Sequence, residues 1–120
     1  MSDINKEILV VGLGSMGLGI AQSLLREGYK VYGQDKNSIQ TDKFIKNGGV
    51  YTNIPFDNLE ADIVVVLNEK QTKEILFGDD GLVKKMKANS LIMVCTTVSP
   101  NFAKEMEALS NNENLLYLDA

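Results

Sequence analysis

Three glycines, Gly12, Gly14 and Gly17, spell G-x-G-x-x-G around Leu13, Ser15 and Met16. Residues of this type at this spacing can cradle a pyrophosphate. The first glycine permits a tight turn, the second lets backbone N–H groups approach phosphate with no Cβ in the way, and the third lets a following helix pack close to the preceding strand. A helix starting there adds unpaired N–H groups and roughly +0.5 of an elementary charge. Asp35 follows 21 residues after Gly14, where a carboxylate can accept both hydroxyls of an adenosine ribose. That carboxylate would repel a 2′-phosphate, so NAD is favoured over NADP, although Lys36 offsets part of the repulsion. A glycine turn followed by an acid also occurs in S-adenosylmethionine sites, but the strict G-x-G-x-x-G fits a dinucleotide better.

Other chemistries lack their residues. The 120-residue chain has no His and one cysteine, Cys95, which leaves no internal disulfide, no His-based triad and no zinc ligand set. Cys95 sits in an apolar run and reads as a small buried hydrophobe, and Asp79-Asp80 reads as a solvated turn. A net charge of −4 and a pI near 4.8 give no attraction to nucleic acid or to an anionic membrane. The longest apolar run, residues 63–67, is too short to span a bilayer, and the start Met-Ser-Asp-Ile-Asn-Lys-Glu lacks the regions of a signal peptide. A cytoplasmic location is therefore expected. Hydrophobic residues at 44% and charged residues at 23% describe a chain that folds as one domain, with its core over about residues 6–120.

The elements that must position these residues follow from periodicity. Ile8 to Val11 form a continuous apolar run ending at Gly12, as a strand buried on both faces does. Met16, Ile20, Ala21, Leu24 and Leu25 then recur at helical spacing until Glu27-Gly28. Residues 30–34 read as a second strand, 39–46 as a helix closed by Asn47-Gly48-Gly49, and 50–51 as a short third strand. Residues 63–67 are the most β-branched stretch and make the best central parallel strand. A helix over 69–77, a strand over 91–95, a helix over 102–109 introduced by Ser99 and Pro100, and a strand over 115–118 complete the chain. Six short strands alternating with helices predict an α/β, doubly wound, mostly parallel sheet with helices on both faces, in the order 3-2-1-4-5-6. Strands one and four then flank the switch point, and the ligand crevice is bordered by residues 12–17 and 67–72.

Val11 to Gly17, followed by Ala21, Leu24, Leu25 and Gly28-Tyr29-Lys30-Val31, resembles the β-hydroxyacid dehydrogenase family, which includes 3-hydroxyisobutyrate dehydrogenase and, more distantly, 6-phosphogluconate dehydrogenase. The likeness continues through Ala61-Asp62-Ile63-Val64-Val65-Val66-Leu67, Gly78-Asp79-Asp80-Gly81-Leu82, Thr96-Thr97-Val98-Ser99-Pro100 and Tyr117-Leu118-Asp119-Ala120. Ser15, the stretch Gln71 to Gly78 and the ending are most similar to the L-threonate dehydrogenase branch. The resemblance implies a Rossmann fold in which residues 12–17 hold the pyrophosphate, Asp35 the ribose, and the backbone at Leu67 and Asn68 lines the cofactor site. It implies further that Thr97 approaches the nicotinamide and that Thr96 faces substrate. Met16 belongs to the same loop, its side chain being expected to pack beneath the glycine turn. Where the family carries Met-Leu-Pro after the fourth strand, this chain reads Val66-Leu67-Asn68.

In the family, Asp-Ala leads into Pro-Val-Ser-Gly-Gly and a helical domain bearing the catalytic lysine. No lysine of this chain matches that position, so no residue is assigned as catalytic and none as a metal ligand. The resemblance implies the NAD-binding part of a dehydrogenase for a small hydroxyacid, inactive alone, which exposes an apolar patch near its last strand and can form a homo-oligomer through it. The rival expectation is a stand-alone nucleotide-sensing regulatory domain, which accounts for the length but not for Ser15-Met16, Thr96-Thr97 or the terminal Asp-Ala.

Overall fold

The structure is a computed structural model that describes residues 6–119; the polar start over residues 1–5 and Ala120 of the terminal Asp-Ala lie outside it. Five strands form one parallel sheet: β1 (Glu7–Val11), β2 (Lys30–Gln34), β3 (Ala61–Val64), β4 (Leu91–Val94) and β5 (Leu116–Asp119), in the order β2-β1-β3-β4-β5. Four helices connect them: α1 (Ser15–Arg26), α2 (Ser38–Lys46), α3 (Glu69–Phe77) and α4 (Pro100–Asn112). None of the described helices is long and apolar enough to cross a membrane.

The sixth strand expected at residues 50–51 is reduced to a single bridge between Val50 and Tyr32 on the outer side of β2. Val50 donates to the Val31 carbonyl at 3.1 Å and accepts from the Gly33 N–H at 2.9 Å. Pairing stops there because Asn53 takes a φ of 54° and Pro55 follows, so the chain turns before a second residue can join the ladder. With that bridge counted, the predicted strand order stands. The strand expected over 63–67 ends at Val64, because its neighbour β1 gives way to the turn at Gly12. Val65 still donates to the Val11 carbonyl at 2.8 Å, and the chain then leaves the sheet.

The helix limits have local causes. Asn37, Asn68 and Ser99 each accept a first-turn N–H of the helix they precede, and Pro100 fills the first position of α4. α1 stops at Glu27, before Gly28 with φ +93°. Apolar residues cover both sheet faces. On one, Leu9, Val64, Ile92 and Val94 pack with Leu76 of α3 and with Phe102 and Met106 of α4. On the other, Ile8, Val10, Val31 and Ile63 pack with Ala21 of α1 and Phe44 of α2. Burying a side chain of this size contributes about 1.5–3 kcal/mol, and at the β5 edge Tyr117 packs on the same side as Phe102 and Met106 of α4. At β5, Leu116 and Leu118 remain 57% and 46% exposed.

One core residue breaks the apolar pattern. Asp62, in the middle of β3, is fully buried, and neither carboxylate oxygen has a hydrogen-bond partner. Burial pushes its carboxyl well above the usual carboxylate range.

Candidate functional site

The crevice at the carboxyl ends of β1 and β3 is built from close backbone approaches. Gly12 has φ +94°, and a Cβ placed on it would lie 1.9 Å from the Val65 carbonyl oxygen. A Cβ on Gly17 would lie 1.8 Å from the Gly12 carbonyl oxygen, so the first turn of α1 rests directly on the loop. Gly14 differs from both. Its φ is −66°, it is the N-cap of α1 with no side-chain cap, and a Cβ there would meet nothing within 4 Å. The first turn of α1 thus has no side-chain cap and open space beside Gly14, an arrangement suited to receive an anion. Ser15 is exposed there as well.

Leu13, between two glycines, is completely buried and tied at both polar groups. Its N–H donates to Asp35 Oδ2 at 2.6 Å, and its carbonyl accepts from Gln40 Nε2 at 2.9 Å. Asp35 Oδ1 accepts the Asn37 N–H at 2.7 Å. The carboxylate is thus fixed at the end of β2 by two backbone donors, and lone pairs remain on both oxygens for further donors. Lys36 is exposed beside it.

The opposite wall is the segment between β3 and α3. Thr96 Oγ1 donates to the Val66 carbonyl at 2.9 Å and accepts the Val66 N–H at 3.2 Å. The Leu67 N–H donates to Gln71 Oε1 at 2.8 Å, and Asn68 Oδ1 accepts the Gln71 N–H at 2.9 Å. Glu69 at the start of α3 accepts the Ser99 N–H at 2.6 Å, which joins this wall to the N-terminus of α4. The Leu67 side chain is 87% exposed, on a backbone held by Gln71 at Leu67 and by Thr96 at Val66.

Two expected placements change. Met16 does not pack beneath the glycine turn: it is 59% exposed, because the first turn of α1 overhangs the end of the sheet and Gly17, not Met16, faces the loop. Thr96 is turned inward and 4% exposed, with its hydroxyl engaged by Val66, whereas Thr97 is exposed. The strand pattern carried that signal, since alternation from Ile92 through Val94 puts Thr96 on the buried face. Cys95 is half-buried, and its thiol is raised by burial and by the nearby Asp119, which leaves it a weak nucleophile. Gln40 is not singled out by the sequence because a side-chain bond reaching 27 residues back leaves no periodic trace, and Gln71, legible as a member of the 67–72 border, gives no sign in its residue type of the local bond to Leu67.

The chain is similar to known proteins in sequence and fold. The family described as the NAD binding domain of 6-phosphogluconate dehydrogenase matches residues 7–120. L-threonate dehydrogenase of Cupriavidus necator is 37% identical over 120 residues, covering 98% of this chain and 40% of that protein. The Haemophilus influenzae L-threonate dehydrogenase is 34% identical over 125 residues, covering 100% of this chain and 41% of its own. A crystal structure of 3-hydroxyisobutyrate dehydrogenase from Salmonella typhimurium superposes with a TM-score of 0.85 at 33% identity, covering 93% of this chain and 40% of that one. The chain thus spans about two fifths of the length of the curated relatives it matches. With its glycine turn, acid-tipped second strand and parallel sheet, the chain belongs to the 6-phosphogluconate dehydrogenase-like family of NAD-binding domains.

Proposed function

We propose that this chain is the cofactor-binding part of an NAD-dependent dehydrogenase that acts on a small 3-hydroxyacid or sugar acid of the L-threonate or 3-hydroxyisobutyrate type. The observation that carries the reading is the open, uncapped N-terminus of α1 above Gly14, with Asp35 fixed at the tip of β2. The substrate class rests on what the relatives are named for, L-threonate and 3-hydroxyisobutyrate.

When bound, NAD supplies the acceptor for the hydride leaving the carbinol carbon. This chain's part is placement. The N–H groups at Gly14 and Ser15 take the pyrophosphate, and Asp35 accepts the ribose hydroxyls. Gly12, Leu13, Met16 and Gly17 shape the loop, with the exposed Met16 thioether available at its rim. Leu67 and Asn68 wall the crevice, Thr97 reaches toward the nicotinamide, and Thr96 serves by holding Val66 instead of touching substrate. We assign removal of the hydroxyl proton to none of the described residues, and the reading expects the chain alone to bind nucleotide without turning over substrate.

Calorimetric titration with NADH and NADPH tests the reading. Asp35→Ala would free both Leu13 and Asn37, whereas Asp35→Asn removes the charge and keeps one oxygen to accept the Leu13 N–H, giving up only the bond to the Asn37 N–H, and is the more informative variant. NADH should bind at least about ten-fold tighter than NADPH, a difference near 1.4 kcal/mol, and the preference should shrink in Asp35→Asn. Absence of binding to both nucleotides would refute the assignment.

A further inference from the structure

We propose that Gln40 is a positioning residue of the nucleotide site, aiming the Gly14 N–H at the phosphates by holding the Leu13 carbonyl. The inference rests on the cofactor reading above and adds a residue that the glycine motif does not contain.

Two peptide planes, Gly12–Leu13 and Leu13–Gly14, are held by side chains. In a trans peptide the carbonyl and the following N–H point in opposite directions, so fixing one fixes the other. Asp35 Oδ2 holds the Leu13 N–H at 2.6 Å, which turns the Gly12 carbonyl the opposite way, to the place where a Gly17 Cβ would stand 1.8 Å from it. Gln40 Nε2 holds the Leu13 carbonyl at 2.9 Å, which turns the Gly14 N–H away from α2. Without the Gln40 bond, the Leu13–Gly14 peptide, with a glycine on its open side, could rotate at little steric cost. The Leu13 side chain, wholly buried with Val10, Ala21 and Phe44, anchors the residue but not the orientation of its polar groups. Gln40 is suited to the task because a neutral amide donates without adding charge next to Asp35 and the phosphates.

The test measures NADH affinity by fluorescence titration at several pH values, with urea unfolding alongside, for the wild-type chain, Gln40→Leu and Gln40→Glu. Gln40→Leu keeps the bulk and loses the donor, and should weaken NADH roughly three- to ten-fold, the worth of one ordinary hydrogen bond. Gln40→Glu should bind poorly at pH 8, where an ionised carboxylate faces the Leu13 carbonyl. It should begin to recover toward wild type as the pH falls to 5, because the Leu13 carbonyl and the neighbouring Asp35 carboxylate favour the neutral acid, which can donate. Dividing by the wild-type affinity at each pH removes any contribution from Asp35. If Gln40→Leu unfolds, Gln40→Met, uncharged and of similar length but with no donor, decides the matter by the same weakening, because the pH recovery of Gln40→Glu also contains relief of charge repulsion next to Asp35 and the phosphates. Wild-type affinity in Gln40→Leu, or a pH-independent deficit in Gln40→Glu, would overturn the proposal. A wild-type chain that binds no NADH would overturn the cofactor reading, and the role of Gln40 with it.

Discussion

Gly14→Ala and Gly17→Ala separate the folding role of the glycine loop from its binding role. At Gly17 the new methyl would stand 1.8 Å from the Gly12 carbonyl oxygen, a backbone atom that no rotamer change can move aside. Helix α1 must shift away from the loop, which puts the cost at or above the upper end of the overpacking range, about 3 kcal/mol. That is a large part of the stability of a domain of this size. At Gly14 the methyl meets nothing within 4 Å and φ is −66°, so only the N-cap preference is lost, at most about 1 kcal/mol. The same methyl would fill the space through which phosphate reaches the helix N-terminus. Losing one charge-assisted hydrogen bond there should weaken NADH roughly 10- to 150-fold. Urea unfolding followed by circular dichroism, paired with NADH titration, reads both quantities. A Gly14→Ala chain that binds NADH within two-fold of wild type, or a Gly17→Ala chain with an unchanged unfolding midpoint, would refute the reasoning.

Asp62 makes stability depend on pH. Its folded-state carboxyl is raised by burial, so its contribution is fully present below the unfolded value of about 3.9 and is lost as pH rises through the raised folded value, at up to about 1.4 kcal/mol per pH unit. Asp62→Asn should therefore gain on wild type with rising pH in urea titrations, and a gap that stays constant between pH 4 and 8 would contradict this. Thr96→Val strands both polar groups of Val66 and should cost about 1–3 kcal/mol with weaker NADH binding. Thr96→Ser, which keeps the hydroxyl, should lose little of either, as the same two assays would register.

The residues legible in the sequence are those whose reason is local. Gly12 is dictated locally by its φ of +94° and Gly17 by the Gly12 carbonyl five residues before it, and the limits of α3 lie at an Asn cap and a glycine; the further closeness of Gly12 to the Val65 carbonyl comes from the sheet. What escaped depends on distant partners. Val50 has the residue type of a strand, but whether it pairs once or four times is settled by where Asn53 and Pro55 turn the chain. Met16 sits on the apolar stripe with Ile20 and Leu24, yet it is exposed because the sheet ends beneath it. Asp62 was visible as a residue but not as a buried one without partners, since that follows only from helices packed over β3.

The strand order has a consequence for how the chain is made. The first strand synthesised, β1, lies inside the sheet, with β2 on one flank and then β3, β4 and β5 added in turn on the other. Every later strand meets a finished edge, and none must be inserted between two already paired. Order of emergence and order of assembly can therefore coincide as the polypeptide leaves the ribosome. Each pairing still waits for its crossover, because parallel neighbours lie far apart along the chain. Until the next strand arrives, the newest strand is the unprotected edge, and at the close of residues 6–119 that position is held by β5, where another strand could add without disturbing those before it.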